Sequence, residues 1–307
     1  MDYVKKLIEQ LEAKNVEVRR YAASALGRTG DEQAVNPPLT ALLKDKSKRI
    51  RVAASLALGE IGGPTAFECL TESLKIEEAG VRVNTAVALG KFGTAGVSPL
   101  IAMLKDKDAR VRKQSVRELE RTGDSRAVAP LIATMTDSDK KTSLLVFKAL
   151  EQIGAFAVEP LVEAMENLDD NLRSRVVEVL GKIGDSRAIE PLIASLKDKD
   201  SRVRSKATIA LGRIGDESAI ETLTIALRNE ATPVRINAVH ALGKYGESTL
   251  TFLIEALTDR TASVRRHIVA ELEGSGDTRA IDVLKRIANE DADESVRRAA
   301  HSVLTAR

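Results

Sequence analysis

An arginine preceded by Val, Ile or Leu returns every 30 to 32 residues along this 307-residue chain, at Arg19, Arg51, Arg82, Arg112, Arg173, Arg204, Arg235, Arg265 and Arg297, with one beat missed at Ser143. Self-similarity at such a period marks a repeat architecture, in which each unit is too small to hide its own apolar face and stacks on the next to do so. The chain is therefore read as one continuous stack over residues 1–307, not as the pair of domains its length would otherwise imply. Aromatic residues make up 3% of the sequence and Trp is absent, against 43% hydrophobic overall. The core must then be Leu, Ile, Val and Ala, which suit helices packed at close range.

Cutting at a recurrent glycine gives ten units: 1–30, 31–62, 63–93, 94–123, 124–154, 155–184, 185–215, 216–246, 247–276 and 277–307. In the clearest of them Ala188, Ile189, Leu192, Ile193 and Leu196 fall at helical spacing, and so do Val203, Ala207, Ala210, Leu211 and Ile214. Neither half alternates with period two, so each unit reads as helix A, a short turn, helix B and a glycine stop. Gly30, Gly62, Gly93, Gly123, Gly154, Gly184, Gly215, Gly246 and Gly276 are expected to end helix B in the left-handed region. Asp31, Asp124, Asp185, Asp216 and Asp277 follow directly and are placed to cap the next helix A. Pro38, Pro99, Pro130, Pro160 and Pro191 each precede a Leu inside helix A, where the missing N–H predicts a kink. Ala22, Ala54, Ala207, Ala238 and Ala300 let neighbouring B helices approach.

The D-x-R-A-x-x-P-L-I run of Asp185–Ile193 and the V-R-x-x-A-x-x-A-L-G-x-I-G run of Val203–Gly215 resemble the HEAT repeat family, most closely its phycobilisome-lyase-like branch. The likeness extends over all ten units. It implies an all-α fold, a right-handed superhelical solenoid of about ten two-helix repeats. It also implies an Asp–Arg ladder between adjacent repeats. An Asp stands six residues before the helix B Arg at Asp45, Asp106, Asp137, Asp198, Asp259 and Asp291, with Asn167 and Asn229 substituting and Ala13 and Ile76 in repeats one and three. Asp45, Arg51, Asp106, Arg112, Asp198, Arg204, Asp259 and Arg265 are accordingly read as structural. An Arg buries its stem between helices while its fork satisfies carbonyls or a neighbouring carboxylate.

No cofactor or metal is expected. A di-metal hydroxylase of this fold would need His-Glu dipeptides, but His240, His267 and His301 are followed by Ala, Ile and Ser, and Cys69 is alone. No metal set can be assembled from them. Cys69 reads as a packing residue in helix A of repeat three. A DNA glycosylase of HEAT-like type would want aromatic residues lining a basic groove. A balance of 47 basic against 45 acidic residues leaves no footprint for nucleic acid. No apolar run is long enough to span a membrane. The amphipathic start lacks a signal peptide's apolar centre, so the cytoplasm is the expected location.

In this fold helix B generally lines the concave face, and the second and fifth residues after its Arg should point away from the core. These positions vary from repeat to repeat where core positions are monotonous. Gln114, Arg117, Lys148, Arg175 and Lys206 fall on successive B helices, relieved only by Glu178, and Asn237 and His240 continue the row. A run of cations steers acidic segments. A second basic row, Arg28, Lys91, Arg121, Lys182, Arg213 and Lys244, complements helix dipoles. Repeat five is irregular: Thr142-Ser143 replaces Val-Arg and Leu144 and Leu145 follow, so repeats four to six read as the functional centre, through either a local change in curvature or an apolar contact patch with Leu144 and Leu145. The expected function is a non-catalytic scaffold that takes an acidic or helical protein segment, as a monomer or a weak end-to-end dimer. The resemblance adds an alternative, a phycobilin or tetrapyrrole lyase-like or chaperone-like subunit, for which no residue marks a site.

Overall fold

The computed structural model describes residues 2–229, 231–273 and 277–306, and every regular element among them is a helix. Gly276, expected to close the ninth B helix, lies outside the described residues. The chain divides into two compact units, Met1–Ala157 and Val158–Arg307. In the first, the B helices are Val16–Thr29, Lys48–Ile61, Ala79–Gly90, Ala109–Thr122 and Lys140–Ile153. In the second they are Asp170–Ile183, Ser201–Ile214, Thr232–Gly243, Ala262–Glu271 and Glu294–Thr305. Within each unit successive B helices pack on one another, and the A helices pack against them.

The A helices depart from the expected continuous form. In repeats four to nine a one-turn 3₁₀ segment precedes a short α segment, as in Ser186–Ala188 before Ile189–Ser195. Pro99, Pro130, Pro160 and Pro191 are each the third residue of the α segment. The first turn of a helix has no intrahelical use for those N–H groups, so the ring removes nothing and does not bend a continuous helix. Pro38 sits in an irregular turn, Val35–Leu39, that Asn36 breaks with φ −130° and ψ 123°. The expected kink is therefore a change of helix type before or around the proline.

The punctuation is local. Gly30, Gly123, Gly184 and Gly215 close their helices in the left-handed region, with φ of 67°, 62°, 74° and 73°. Gly62 and Gly154 keep positive φ but swing ψ to −155° and −132°, and Gly93 and Gly246, with φ of 56° and 61°, also open the next 3₁₀ turn. Asp31, Asp124, Asp185, Asp216 and Asp277 each accept the N–H two residues on. A second glycine, inside the A-L-G of helix B, has a packing role. A Cβ at Gly59 would lie 2.9 Å from the Ala88 Cα, and one at Gly212 2.9 Å from the Ala241 Cα. Adjacent B helices touch backbone to backbone at these points, beside the fully buried Ala54 and Ala238.

Charged rungs accompany the apolar seam. In the first unit the fork of Arg19 meets Asp45 at 3.2 and 3.3 Å, Arg82 meets Asp106 at 2.6 and 2.9 Å, and Arg112 meets Asp137 at 2.6 and 2.8 Å. In the second, Arg173 meets Asp198 at 2.8 and 3.0 Å, Arg235 meets Asp259 at 2.7 and 3.2 Å, and Arg265 meets Asp291 at 2.7 and 2.8 Å. Each Arg thus reaches the Asp of the following repeat. Its Nη1 turns back to its own loop, as from Arg112 to the Asp106 carbonyl at 2.8 Å. Each Asp also accepts the N–H two residues on, as Asp106 does from Asp108 at 2.8 Å.

Two rungs are altered. Where Ile76 replaces the acid, Arg51 turns to Glu78, and its buried Nε has no partner. Where Asn229 replaces it, the buried Nε of Arg204 has no partner. In repeat five the Ser143 hydroxyl donates to the Met135 carbonyl at 2.6 Å.

The Arg112 fork holds the Asp137 carboxyl below the usual carboxylate range against burial, which raises it, and Arg265 does the same for Asp291. Depressed folded-state values contribute stability above the unfolded pKa of about 4, and it is lost as pH falls through the folded values. Unfolding free energy is expected to hold from neutrality to about pH 5 and to fall below about pH 4. Arg112→Leu is expected to cost about 2–4 kcal/mol and to remove the Asp137 share of that acid slope, read by urea unfolding followed by circular dichroism. Asn229→Asp is expected to supply the missing acceptor and add about 1–2 kcal/mol. That gain should vanish in an Arg204→Met background; a gain that survives there would show that the Arg204 rung is not its source.

Candidate functional site

The B-helix register places the candidate residues in two sets. Gln114, Arg117, Leu144, Leu145 and Lys148 belong to the first unit, and Arg175, Lys206, Asn237 and His240 to the second. Arg117, Leu144, Lys148 and His240 are exposed, and the others are half-buried. The register has one exception, since Ala53 at the second position after Arg51 is buried. In repeat five Leu144 stands 48% exposed while Val146 and Phe147 turn into the core.

The run of cations read from the sequence is not a bare one. Lys148 pairs with Glu120 at 2.8 Å, Lys206 with Glu178 at 2.8 Å, and His240 Nδ1 lies 2.5 Å from Glu271. Gln114 donates to Glu118 at 2.8 Å, and Glu118 also receives Arg121 at 3.1 Å. Asn237 donates to Ser205 Oγ at 2.7 Å. Of the basic row at the helix ends, Lys182 lies 3.7 Å from Glu178, and Lys91 lies 3.4 Å from Glu60. Most of these contacts join one B helix to the next. Arg117 is exposed and makes no ion pair with any described residue.

The sequence reading missed Glu118, Glu120 and Glu271. A signal was present, because most other B helices carry Ala or Gly at those positions. Glu118 and Glu271 stand over Gly90 and Gly243, taking the space a Cβ there would need. The acids lie deep and their partners stand out: Glu118 is 10% exposed beneath Arg121 at 58%, and Glu120 18% beneath Lys148 at 68%. Glu178 is held below the usual carboxylate range by Lys206, against burial. Glu120 pushes the Lys148 ammonium up.

Elsewhere, the His240 and His267 rings meet edge-on at 5.1 Å, and His267 Nδ1 contacts the Ser263 carbonyl at 2.6 Å. Half-buried Cys69 accepts the Thr40 hydroxyl at 3.2 Å. Among the described residues no group of three His, Cys, Asp or Glu converges in a way that could hold a metal ion, and no helix is long and apolar enough to cross a membrane. Clefts of about 320 and 350 Å³ open beside the rung loops at equivalent register, one beside Leu104 and Pro130 and the other beside Leu227 and Phe252.

The sequence matches the family described as HEAT repeats over residues 4–90, 77–151, 158–235 and 225–305. No curated protein matches it. Among solved structures it is similar to the karyopherin Kap121p bound to RanGTP, with a TM-score of 0.67 and 14% identity over 99% of this chain and 41% of that one. Kap121p bound to Nup53p gives 0.65 and 14%, over 98% and 41%. Kap95p, from a study of its binding to RanGDP, gives 0.57 and 15%, over 99% and 51%. The chain thus spans about half or less of these karyopherins, and at such identities the likeness is one of fold.

Proposed function

We propose that this chain, which belongs to the HEAT repeat family, is a non-catalytic cytoplasmic scaffold that holds a partner protein on the exposed face of its B helices. One observation carries the reading. The buried positions of helix B repeat nearly unchanged, whereas the outward fifth position runs through Val87, Arg117, Lys148, Glu178, Ile209 and His240. A regular frame that presents a different side chain at every step suits recognition of an extended partner. The cation heads standing above recessed carboxylates favour a partner with acidic or helical segments. The Kap121p structures, bound to RanGTP and to Nup53p, illustrate HEAT-like solenoids holding proteins.

The phycobilisome-lyase-like branch, with a tetrapyrrole-handling role, rests on the repeat motifs alone. The two readings separate by experiment. A photo-cross-linking residue placed at Val87, Arg117 or Ile209 is expected to capture a polypeptide from host extract, whereas the same residue at Glu68, exposed on helix A of repeat three, captures none. Equal capture from both faces, or none from the B face, would overturn the scaffold reading. A new visible absorption band on mixing with bilin, without capture of protein, would establish the alternative.

A further inference from the structure

We infer that repeats four and five dock an acidic protein segment bearing a large apolar side chain, its carboxylates over Arg117, Arg121 and Lys148 and its apolar group over Leu144 and Leu145. The inference rests on the scaffold reading and adds the place and the chemistry of the partner.

The placement follows from helical register. Arg117 and Arg121 are four residues apart on one B helix, and Leu144 and Lys148 four apart on the next, so each pair shares a face. These two B helices stack directly. Arg117 and Lys148 occupy the same position in their repeats, and Lys113 and Leu144 do likewise. The surface therefore carries two parallel stripes, one cationic throughout and one beginning with an exposed leucine.

The ion pairs orient this surface without cancelling it. Coulomb attraction falls with distance, so an arriving carboxylate meets the ammonium or guanidinium before it feels the deeper acid. Glu120 and Glu118 fix the cation heads, which lowers the conformational entropy an incoming group must remove. Arg117, with no acid of its own, leaves the step biased towards anions. The same recessed carboxylates keep the net charge of the patch low. That disfavours a uniform polyanion such as duplex DNA, whose affinity comes from neutralising many phosphates. A few carboxylates grouped around one apolar side chain match both stripes, because exposed Leu144 has no apolar cover among the cations.

The test uses the full chain and a fluorescein-labelled peptide of about 15 residues repeating Glu-Glu-Leu, beside Lys-Lys-Leu and Ser-Ser-Leu counterparts and a labelled random duplex, read by anisotropy. The Glu-Glu-Leu peptide alone is expected to bind, more weakly as salt rises. Arg117→Glu is expected to weaken it at least about fivefold and Leu144→Ser about threefold, with helical circular dichroism unchanged. Lys5→Glu, the same charge change on an exposed helix A residue, is expected to leave binding within about twofold. No binding by the acidic peptide, equal binding by the basic peptide or the duplex, or equal loss from Lys5→Glu would overturn the inference. Protein capture on the B face with a failed acidic peptide would overturn it while leaving the scaffold reading standing.

Discussion

The rest of the structure depends on a guanidinium that faces two ways. Where the rung is intact, one nitrogen of the ladder Arg closes the loop of its own repeat, and the other two grip the Asp of the next, as Arg265 does between the Asp259 carbonyl and the Asp291 carboxylate. A lysine, with a single point charge, could not hold a carbonyl and a bidentate carboxylate in one plane. The rung therefore ties local loop geometry to the spacing of neighbouring repeats, and the Gly–Ala contacts of the B helices set how close that spacing is. The apolar seam supplies non-directional stabilisation, and the rung supplies register.

The altered rungs show what the arrangement tolerates. Arg51 lost its Asp to Ile76 and found Glu78, two residues further along the same loop. Arg204 faces Asn229 and keeps only its carbonyl contacts, at 2.7 and 3.0 Å. Both charges are lost together at one step of the sequence, as Ser143 and Asn167, and the boundary of the two compact units after Ala157 lies between them. A buried guanidinium without an acid is costly, as is a buried acid without a guanidinium, so joint loss is the cheaper departure.

The fold was legible because its causes are local. Helical spacing in Ala188–Leu196, the Asp caps and the glycine stops each act within a few residues, and a motif seen nine times averages out its exceptions. The A helices were misread at their prolines because the 3₁₀ turn ahead of Pro99 or Pro191 has no apolar period of its own to betray it. The candidate surface was half legible. Register gave the outward positions, but the charge they present depends on a side chain from the neighbouring repeat, about 30 residues away in sequence, as Lys148 depends on Glu120. Reading single positions along one row counted Lys148 and Lys206 in a run of cations relieved only by Glu178 and passed over Glu118 and Glu271, which sit where most B helices carry Ala.

That misreading also shows how such a surface can vary without loss of the fold. The positions that carry Glu118, Glu120 and Glu271 are Ala or Gly in most B helices because backbones meet there. Glu118 and Glu271 are admitted by lying across a glycine of the preceding helix, Gly90 and Gly243. So placed, Glu118 is desolvated and needs donors, which the Arg121 guanidinium and the Gln114 amide supply with hydrogen bonds from the solvent side. The packing constraint of the seam thereby decides the polarity of the surface above it. An acid inserted between helices draws its partners outward, and the face presented to a visitor is cationic although carboxylates lie beneath it.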